Sequence, residues 1–599
     1  MAQVAALVDG MSISWKSLRV ELLKPEPRVL LRDACGVARH GRVLAVLGPS
    51  GAGKSTLLQS LAGRLERTRK LHLSGTIEPA FSDGAAPVSF IYQDDAFHSR
   101  LSVEETLLFA ASLRLPPGAV RARVAEVLLA TGLQDVASSV VGNTKLRGIS
   151  GGERKRLAIG CELVANTCSP LFADEPTSGL DSFQALRILE ALRAAAANRV
   201  VVLSVHQPSA RLMQCFDDVL LLGSGGRTLY IGCTGEMQQS MESQNRVLVG
   251  KQPPMSSTAE WMLELASIDQ RAEEDSSCRI ALLAEAWSER HQHQQHEYQR
   301  LRPATVCATL HNTSWAVQLR WCVWRAWRQS AASLTMLATR VCSTLVTGAL
   351  FGFIFWQLDQ GDVKARSGLL QVLCNYFGMT FSLRSVRVLQ DGEAVVVYRE
   401  RASGALRLSP YFLGKVAAEL PLTIVLPTLL VAVMRPITGL QASLLPLALV
   451  YSLECVAAGA MGLAAGACAP SLDVGLEIAK AVMTLFIVFG GIFFDATSLP
   501  WLIRWVQRVS LVHITWNGAL AAESVAAERG GSSGSAATLQ APTDMSAHLE
   551  LACISVALYA VAFMGLAVKA PRFQRIVASP QASGVEFRSE TESTRLAAA

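Results

Sequence analysis

Residues 43–61, "VLAVLGPSGAGKSTLLQSL", restrict what this chain can fold into more than any other stretch. A short apolar run with strand character meets a glycine-rich turn, and a helical pattern follows at once. The pattern G-x-x-x-x-G-K-[ST] runs from Gly48 through Pro49, Ser50, Gly51, Ala52 and Gly53 to Lys54 and Ser55, with Thr56 next. Glycines let backbone N–H groups ring a phosphate chain, and the helix behind them adds the positive end of its dipole. Lys54 can reach outer phosphates and Ser55 can offer a hydroxyl to Mg²⁺. The stretch therefore predicts a nucleotide-binding strand–loop–helix unit inside an α/β domain.

Downstream residues narrow the class. In "GISGGERKRLAIG", residues 148–160, Ser150, Gly151, Gly152 and Glu153 open a second helical pattern, a further set of backbone donors for phosphate. "SPLFADEPTSGLD" is an apolar run ending in Asp174 and Glu175. Asp174 suits a Mg²⁺ shell, and Glu175 beside it suits a general base for water. "RVVVLSVHQPS" ends another strand-like run at His206, and "FIYQDD" places Gln93 in the same way. A lone histidine after a strand is usually structural, and Gln93 alone would mean nothing. In this order, however, the pieces resemble an ATP-binding cassette over residues 28 to about 225: Walker A, Q-loop, signature, Walker B, D-loop (Ser178 to Asp181) and switch histidine. The resemblance implies ATP and Mg²⁺ as cofactors. It implies that Ser55, Gln93 and Asp174 serve the metal, that Glu175, His206 and Gln93 serve catalysis, and that Asp181 lies at the nucleotide. In such cassettes the signature of one domain closes on the Walker A of another. Since this chain carries one set, the implied partner is a second copy or a related half.

The rest of the chain is of another kind. Only 17% of residues are charged and half are hydrophobic, and the long apolar runs fall between about 336 and 569. A span needs about 20 apolar residues, and six runs qualify: 336–357, 367–390, 413–434, 444–469, 476–494 and 549–568. Arg384 and Arg387 interrupt the second and are read as snorkelling to the cytosolic interface. "SWAVQLRWCVWRAWRQS" reads as a basic, Trp-rich amphipathic helix for a membrane surface. The segment before it, "DQRAEEDSSCRIALLAEAWSERHQHQQHEYQRLRP", reads as a solvent-exposed linker, and His291, His293 and His296 lack partners at metal-ligand spacing. Glu454 lies mid-span, where it is either functional or protonated or paired inside the bundle. "GLAAG", 462–466, is a small-xxx-small stripe. The 13 cysteines show no CxxC pairing and read as reduced thiols. The net charge of +6 gives no reason to invoke nucleic acid; Lys and Arg flanking membrane spans account for it.

One cassette placed before six spans resembles the G subfamily of ABC transporters, the White and sterol or multidrug half-transporters. "LAGR", "YQDD", "ISGGERKRL", "DEPTSGLDS", "HQPS", "YRERASG" and "YFLGKVAAELP" carry the likeness. The expected organisation is an ATP-binding cassette at 1–245, a cytosolic linker at 246–315, a connecting helix at 316–335, a six-span all-α domain at 336–570 and a cytosolic tail at 571–599. The resemblance implies a homodimer or heterodimer that exports a hydrophobic molecule: a lipid, sterol, wax-type monomer, hormone or xenobiotic. The alternative from another class is an ATP-switched membrane regulator or scramblase without uphill transport. Arginines before the first run, after the second and behind the sixth favour the cytosolic side. The cassette is therefore expected in the cytosol and residues 520–548 on the far side, with the plasma membrane favoured over an internal one.

Overall fold

The computed structural model describes residues 12–68, 70–79, 88–143, 146–165, 169–244, 257–269, 271–298, 313–331, 334–359, 362–389, 394–491, 500–529, 544–569 and 573. Among these residues nine strands form two sheets. The smaller is antiparallel in the order β2-β1-β4, with β1 at Ser12–Leu22, β2 at Arg28–Arg39 and β4 at Leu71–Glu78. The larger runs β5-β6-β7-β3-β8-β9. Here β3 is Val43–Leu47, β5 Ser89–Ile91, β6 Leu171–Ala173, β7 Val201–Ser204, β8 Asp218–Gly223 and β9 Arg227–Cys233. All its pairs are parallel except β8 with β9. Strands β3, β6, β7 and β8 are buried along their whole length. Parallel strands covered on both faces read as unbroken apolar runs for this reason.

Helices α1 (Lys54–Leu61), α2 (Val103–Ser112), α3 (Val120–Thr131), α4 (Gly151–Leu163), α5 (Ser182–Ala196), α6 (Ala210–Met213) and α7 (Met237–Gln244) fill the rest of this α/β domain. Of these, α2, α3 and α4 pack around a core of their own that includes Leu107, Val124, Val127 and Leu157.

Helix α8 (Thr258–Ala266) follows the α/β domain, and the segment expected to be a solvent-exposed linker after it contains an ordered helix instead, α9 (Glu273–Tyr298). Trp261, Met262 and Leu265 of α8, with Ile280, Leu283 and Trp287 of α9, are buried in the main core of the α/β domain. Charge density hid an amphipathic helix, because one apolar stripe is enough to dock on β9.

The second half is helical: α10 (Trp315–Ala331), α11 (Leu334–Ile354), α12 (Val363–Val388), α13 (Ala394–Ala402), α14 (Leu408–Thr438), α15 (Leu444–Cys468), α16 (Leu472–Val488), α17 (Trp501–Val509), α18 (Leu511–Arg529) and α19 (Asp544–Val568). Among the described residues four helical stretches are long and apolar enough to cross a membrane: Thr335–Ile354, Leu408–Thr438, Leu444–Cys468 and Ser546–Val568. The other two expected runs fall on α12 and α16. Cations at both ends of α12, with Gln371, Asn375 and Ser382 between them, lower its hydropathy. Helix α16, at 17 residues, is shorter than the roughly 20 a bilayer needs, and residues 492–494 of that expected run lie outside the described residues. Both helices pack within the bundle, against each other and against α15.

The α12–α15 contact shows what the small residues do. A Cβ on Gly462 would lie 2.1 Å from the Ser382 carbonyl oxygen, and one on Gly466 2.8 Å from that of Val386. Only glycine lets the two backbones approach so closely. Glu454 sits in this seam, wholly buried, and neither carboxylate oxygen has a hydrogen-bond partner among the described residues. Arg384 is ion-paired with Glu419 of α14 at 2.8 Å, which replaces the snorkelling expected of it, whereas Arg387 is exposed.

Candidate nucleotide site and its link to the membrane helices

The site forms where β3, β5, β6 and β7 end, at the carboxyl edge of the parallel sheet, the usual place for ligands in open α/β folds. Residues 48–53 turn from β3 into α1. Gly53 has φ 90°, and a Cβ on it would lie 2.6 Å from the Leu30 carbonyl oxygen. The turn therefore requires glycine there twice over, for conformation and for space. Lys54 is buried. Its Nζ donates to the carbonyl oxygens of Gly48 at 2.9 Å and Pro49 at 3.1 Å. Burial holds its pKa below the ordinary lysine value, and the nearby charges of Glu175 and Asp174 oppose that shift.

Asp174, also buried, follows β6. Its Oδ1 accepts from Ser55 Oγ at 3.0 Å and from Ser204 Oγ at 2.7 Å. The Ser204 hydroxyl also accepts the backbone N–H of Glu175 at 2.9 Å. Glu175 sits in the left-handed region, φ 48°, a strained backbone for a non-glycine residue that recurs at functional sites. Its Oε2 accepts from Gln93 Nε2 at 3.2 Å. The fold thus brings Lys54, Ser55, Gln93, Asp174 and Glu175 together from three segments. His206 is exposed just past β7 and makes no hydrogen bond to another described residue.

The signature residues have a local task. Ser150 caps α4: its Oγ accepts the Glu153 N–H, while the Glu153 carboxylate accepts the Ser150 N–H at 2.8 Å. That backbone bond holds the Glu153 carboxyl below its usual pKa. Asp181 caps α5, accepting the Gln184 N–H at 2.9 Å. Ser150, Gly151 and Asp181 are exposed, as are Ser50 and Gly51 of the phosphate loop.

Ser204 and Lys155 went unnoticed in the sequence. Lys155 of α4 is buried and donates to the carbonyl oxygens of Tyr92 and Gln93 at 3.0 and 2.8 Å. It anchors the segment that carries Gln93. The only sequence signal for Ser204 is that it ends an otherwise apolar buried strand; Lys155 has none, being one of several cations on its helix.

Oxygen donors of the Ser55 and Asp174 type fit Mg²⁺, which keeps few protein ligands and shares its shell with phosphates and water. The left-handed glycine turn and the buried, desolvated Lys54 fit a polyphosphate.

Comparison with known proteins bears on the whole chain. The ABC transporter family matches residues 32–178, and the ABC-2 type transporter family matches 317–524. "ABC transporter G family member 7" of Arabidopsis thaliana is 35% identical over 539 residues, 85% of this chain and 74% of that protein. "ABC transporter G family member 21" of the same plant is 33% identical over 82% of this chain and 77% of its own length. "Protein white" of Drosophila melanogaster is 31% identical over 91% of this chain and 82% of its own. This chain belongs to the G subfamily of ABC transporters.

In this half-transporter the cassette and the membrane helices meet at α10 and α13. Tyr398 of α13 donates to Glu66 Oε1 at 2.8 Å. Arg399 donates to the Asp94 carbonyl oxygen at 2.6 Å and its guanidinium lies 4.3 Å from the centre of the Tyr92 ring. From α10, Arg325 pairs with Glu400 at 2.6 Å and stacks 4.0 Å over Phe109, while Arg328 pairs with Glu105 at 2.7 Å. Tyr92 and Asp94 flank Gln93, so one short segment touches both Glu175 and α13.

Proposed function

We propose that two such chains, or this chain and another half-transporter, form an ATP-driven exporter of a hydrophobic molecule. The observation that carries this reading is the pair of open surfaces on one cassette. Ser50 and Gly51 of the phosphate loop face solvent, and so do Ser150 and Gly151 at the start of α4. Each is half of an anion site, and a head-to-tail pair would join them into two complete ones.

In each joint site Lys54 and the loop N–H groups hold the outer phosphates. Ser55 and Asp174 hold Mg²⁺, which supplies charge neutralisation on the phosphates when bound. Glu175 accepts the proton of the attacking water, and Gln93 orients its carboxylate. His206 and Asp181 act at the far phosphate once the partner closes. Because Tyr92, Gln93 and Asp94 are continuous, a change at Glu175 is felt at Arg399 and hence at α13. The sterols, lipids and xenobiotics suggested by the resemblance remain the proposed cargo class, with the cassette in the cytosol and the plasma membrane as the favoured site.

The test uses the full chain reconstituted in liposomes with outward-facing cassettes and a panel of labelled sterols, lipids and xenobiotics. ATP should drive a cargo into the lumen against its gradient, and Glu175→Gln should retain ATP while abolishing both hydrolysis and uptake. ATP-dependent equilibration of lipid without accumulation of any cargo would instead establish the switch or scramblase.

A further inference from the structure

Gln329, near the end of α10, joins the cassette to the membrane half at three of its atoms. Its backbone carbonyl oxygen accepts from Arg100 Nη1 at 3.3 Å. Its side-chain oxygen accepts from Lys415 Nζ of α14 at 3.4 Å. Its side-chain nitrogen contacts His98 Nδ1. His98 and Arg100 lie between β5 and α2 of the cassette, so the contact crosses the boundary. His98 is 5% exposed.

The direction of these hydrogen bonds is fixed from one end. A lysine ammonium only donates, so the Gln329 oxygen faces Lys415 and its NH₂ group faces His98. That NH₂ group also only donates, so His98 Nδ1 must accept, and the imidazole is neutral with its hydrogen on Nε2. A second proton would enter at Nδ1 and set one N–H against another. Turning the amide over gives no relief, because its NH₂ would then meet Lys415.

The charges around His98 do not favour a second proton either. Arg100 lies on its own segment and Lys415 on α14, and Arg340 of α11 is near enough to Arg100 to feel its charge. Arg328 of α10 and Glu105 of α2 pair with each other at 2.7 Å. Asp94, Asp95, Glu162 and Glu400 line the same cleft as His98. Of these, Asp95 faces Lys155 at 3.7 Å, Glu162 pairs with Arg114, and Glu400 pairs with Arg325. Asp94 is exposed to solvent.

We propose that His98 is a positioning residue that makes the docking of the cassette on α10 depend on pH. The contact holds while the imidazole is neutral and opens when it is protonated. Docking excludes the second proton, so acid favours the undocked form by linkage. The device concerns the joint between the two halves and does not depend on the export reading.

Hydrogen exchange of the full chain in lipid nanodiscs tests it, at about pH 7.5 and about pH 5.5, one unit either side of the ordinary imidazole value. Rates are corrected for the intrinsic effect of pH and followed in segments 96–101 and 325–331. In the parent, exchange in both segments should rise about fivefold or more in acid, the factor expected for one hydrogen bond. His98→Asn sets an oxygen acceptor near the place of Nδ1 that cannot be protonated in this range, and should keep both segments protected at either pH. Gln329→Glu offers a carboxylate to Lys415 and to the imidazolium together, and should reverse the sign, with stronger protection in acid. A purely structural contact would not reverse. No acid effect in the parent, or a rise of the same size in His98→Asn, would overturn the proposal. So would an acid rise of parental size in Gln329→Glu.

Discussion

The hydroxyl of Ser204 bridges two neighbouring acidic residues, donating to Asp174 Oδ1 at 2.7 Å while accepting the backbone N–H of Glu175 at 2.9 Å. One oxygen thus fixes both the carboxylate suited to Mg²⁺ and the strained backbone that aims the candidate base. Removing it leaves a buried N–H and a buried carboxylate each short of a partner, at a cost of about 1–3 kcal/mol per group. We expect Ser204→Ala to lower steady-state ATP turnover by tenfold or more with a smaller change in ATP affinity, whereas Ser204→Thr retains most activity. Equal loss in both variants would show that bulk, and not the hydroxyl, matters there.

Lys54 is a buried cation whose hydrogen bonds among the described residues go to two carbonyl oxygens, and burial lowers its pKa. The folded chain therefore binds this proton more weakly than the unfolded chain. That is a cost below the folded pKa, and it shrinks as pH rises from there towards the ordinary value of 10.5. Lys54→Met removes the buried charge and keeps the length. Without nucleotide the variant should unfold at the same temperature as the parent or higher, and its alkaline stability gain should be smaller. It should also lose the rise in melting temperature that ATP gives the parent, worth about 2.7 kcal/mol at a hundredfold excess over Kd. Differential scanning fluorimetry with and without ATP measures both; an ATP shift that survives would remove Lys54 from the site.

How much of this was legible in advance follows from the range of the interactions. The phosphate loop was readable because its demands are local: glycine at positive φ, a strand before and a helix after. Asp174, Glu175 and Gln93 stand at the ends of apolar runs and were readable for the same reason. Ser204 was not, since its role depends on β7 lying beside β6, 30 residues away from Asp174. Helix α9 was missed because its polar majority outweighs the three residues, Ile280, Leu283 and Trp287, that dock it. Helix α12 misled in the opposite sense. It was expected as an apolar span with Arg384 and Arg387 snorkelling from its far part, but Arg384 meets Glu419, and Gln371 and Ser382 are buried in the bundle. Hydropathy measures suitability for lipid, and a helix surrounded by other helices is not held to that standard.

Arg366 and Glu523 form a buried ion pair at 2.7 Å that ties the start of α12 to α18. Arg366 also donates to the carbonyl oxygens of Leu358, Asp359 and Gly439, and Glu523 also accepts the N–H groups of Gln441 and Ala442. Breaking a buried pair costs about 3–5 kcal/mol because the partner's charge is stranded. Arg366→Gln and Glu523→Gln should each reduce the yield of folded protein and lower its unfolding temperature in detergent. The exchanged pair, Arg366→Glu with Glu523→Arg, should not recover stability, because the surrounding backbone groups match only the native order. Full recovery would mean that the ion pair alone, without its backbone partners, holds this corner.

Coupling between hydrolysis and transport should be separable from hydrolysis itself at Tyr398. Its hydroxyl donates to Glu66 at 2.8 Å across the boundary between α13 and the cassette, and neither residue touches the nucleotide cradle. Burial and the Glu66 carboxylate both hold the phenol well above its ordinary pKa, so it remains a donor throughout the physiological range. Glu66 also forms an antiparallel bridge with Phe573, beyond α19, and Arg401 donates to the Leu566 carbonyl oxygen at 3.4 Å. Glu66, just after the phosphate-loop helix, therefore meets α13 through its carboxylate and the segment beyond α19 through its backbone. Tyr398→Phe removes a single hydrogen bond, worth about 1 kcal/mol, and leaves the ring packed. The variant should fold normally and hydrolyse ATP at close to the parental rate without cargo, but move fewer cargo molecules per ATP. Glu66→Gln, which keeps an acceptor oxygen, should fall between Tyr398→Phe and the parent. Proteoliposomes assayed for ATP hydrolysis and cargo uptake in the same sample give the ratio directly, and a parallel fall in both rates would show that this contact supports the cassette and not the coupling.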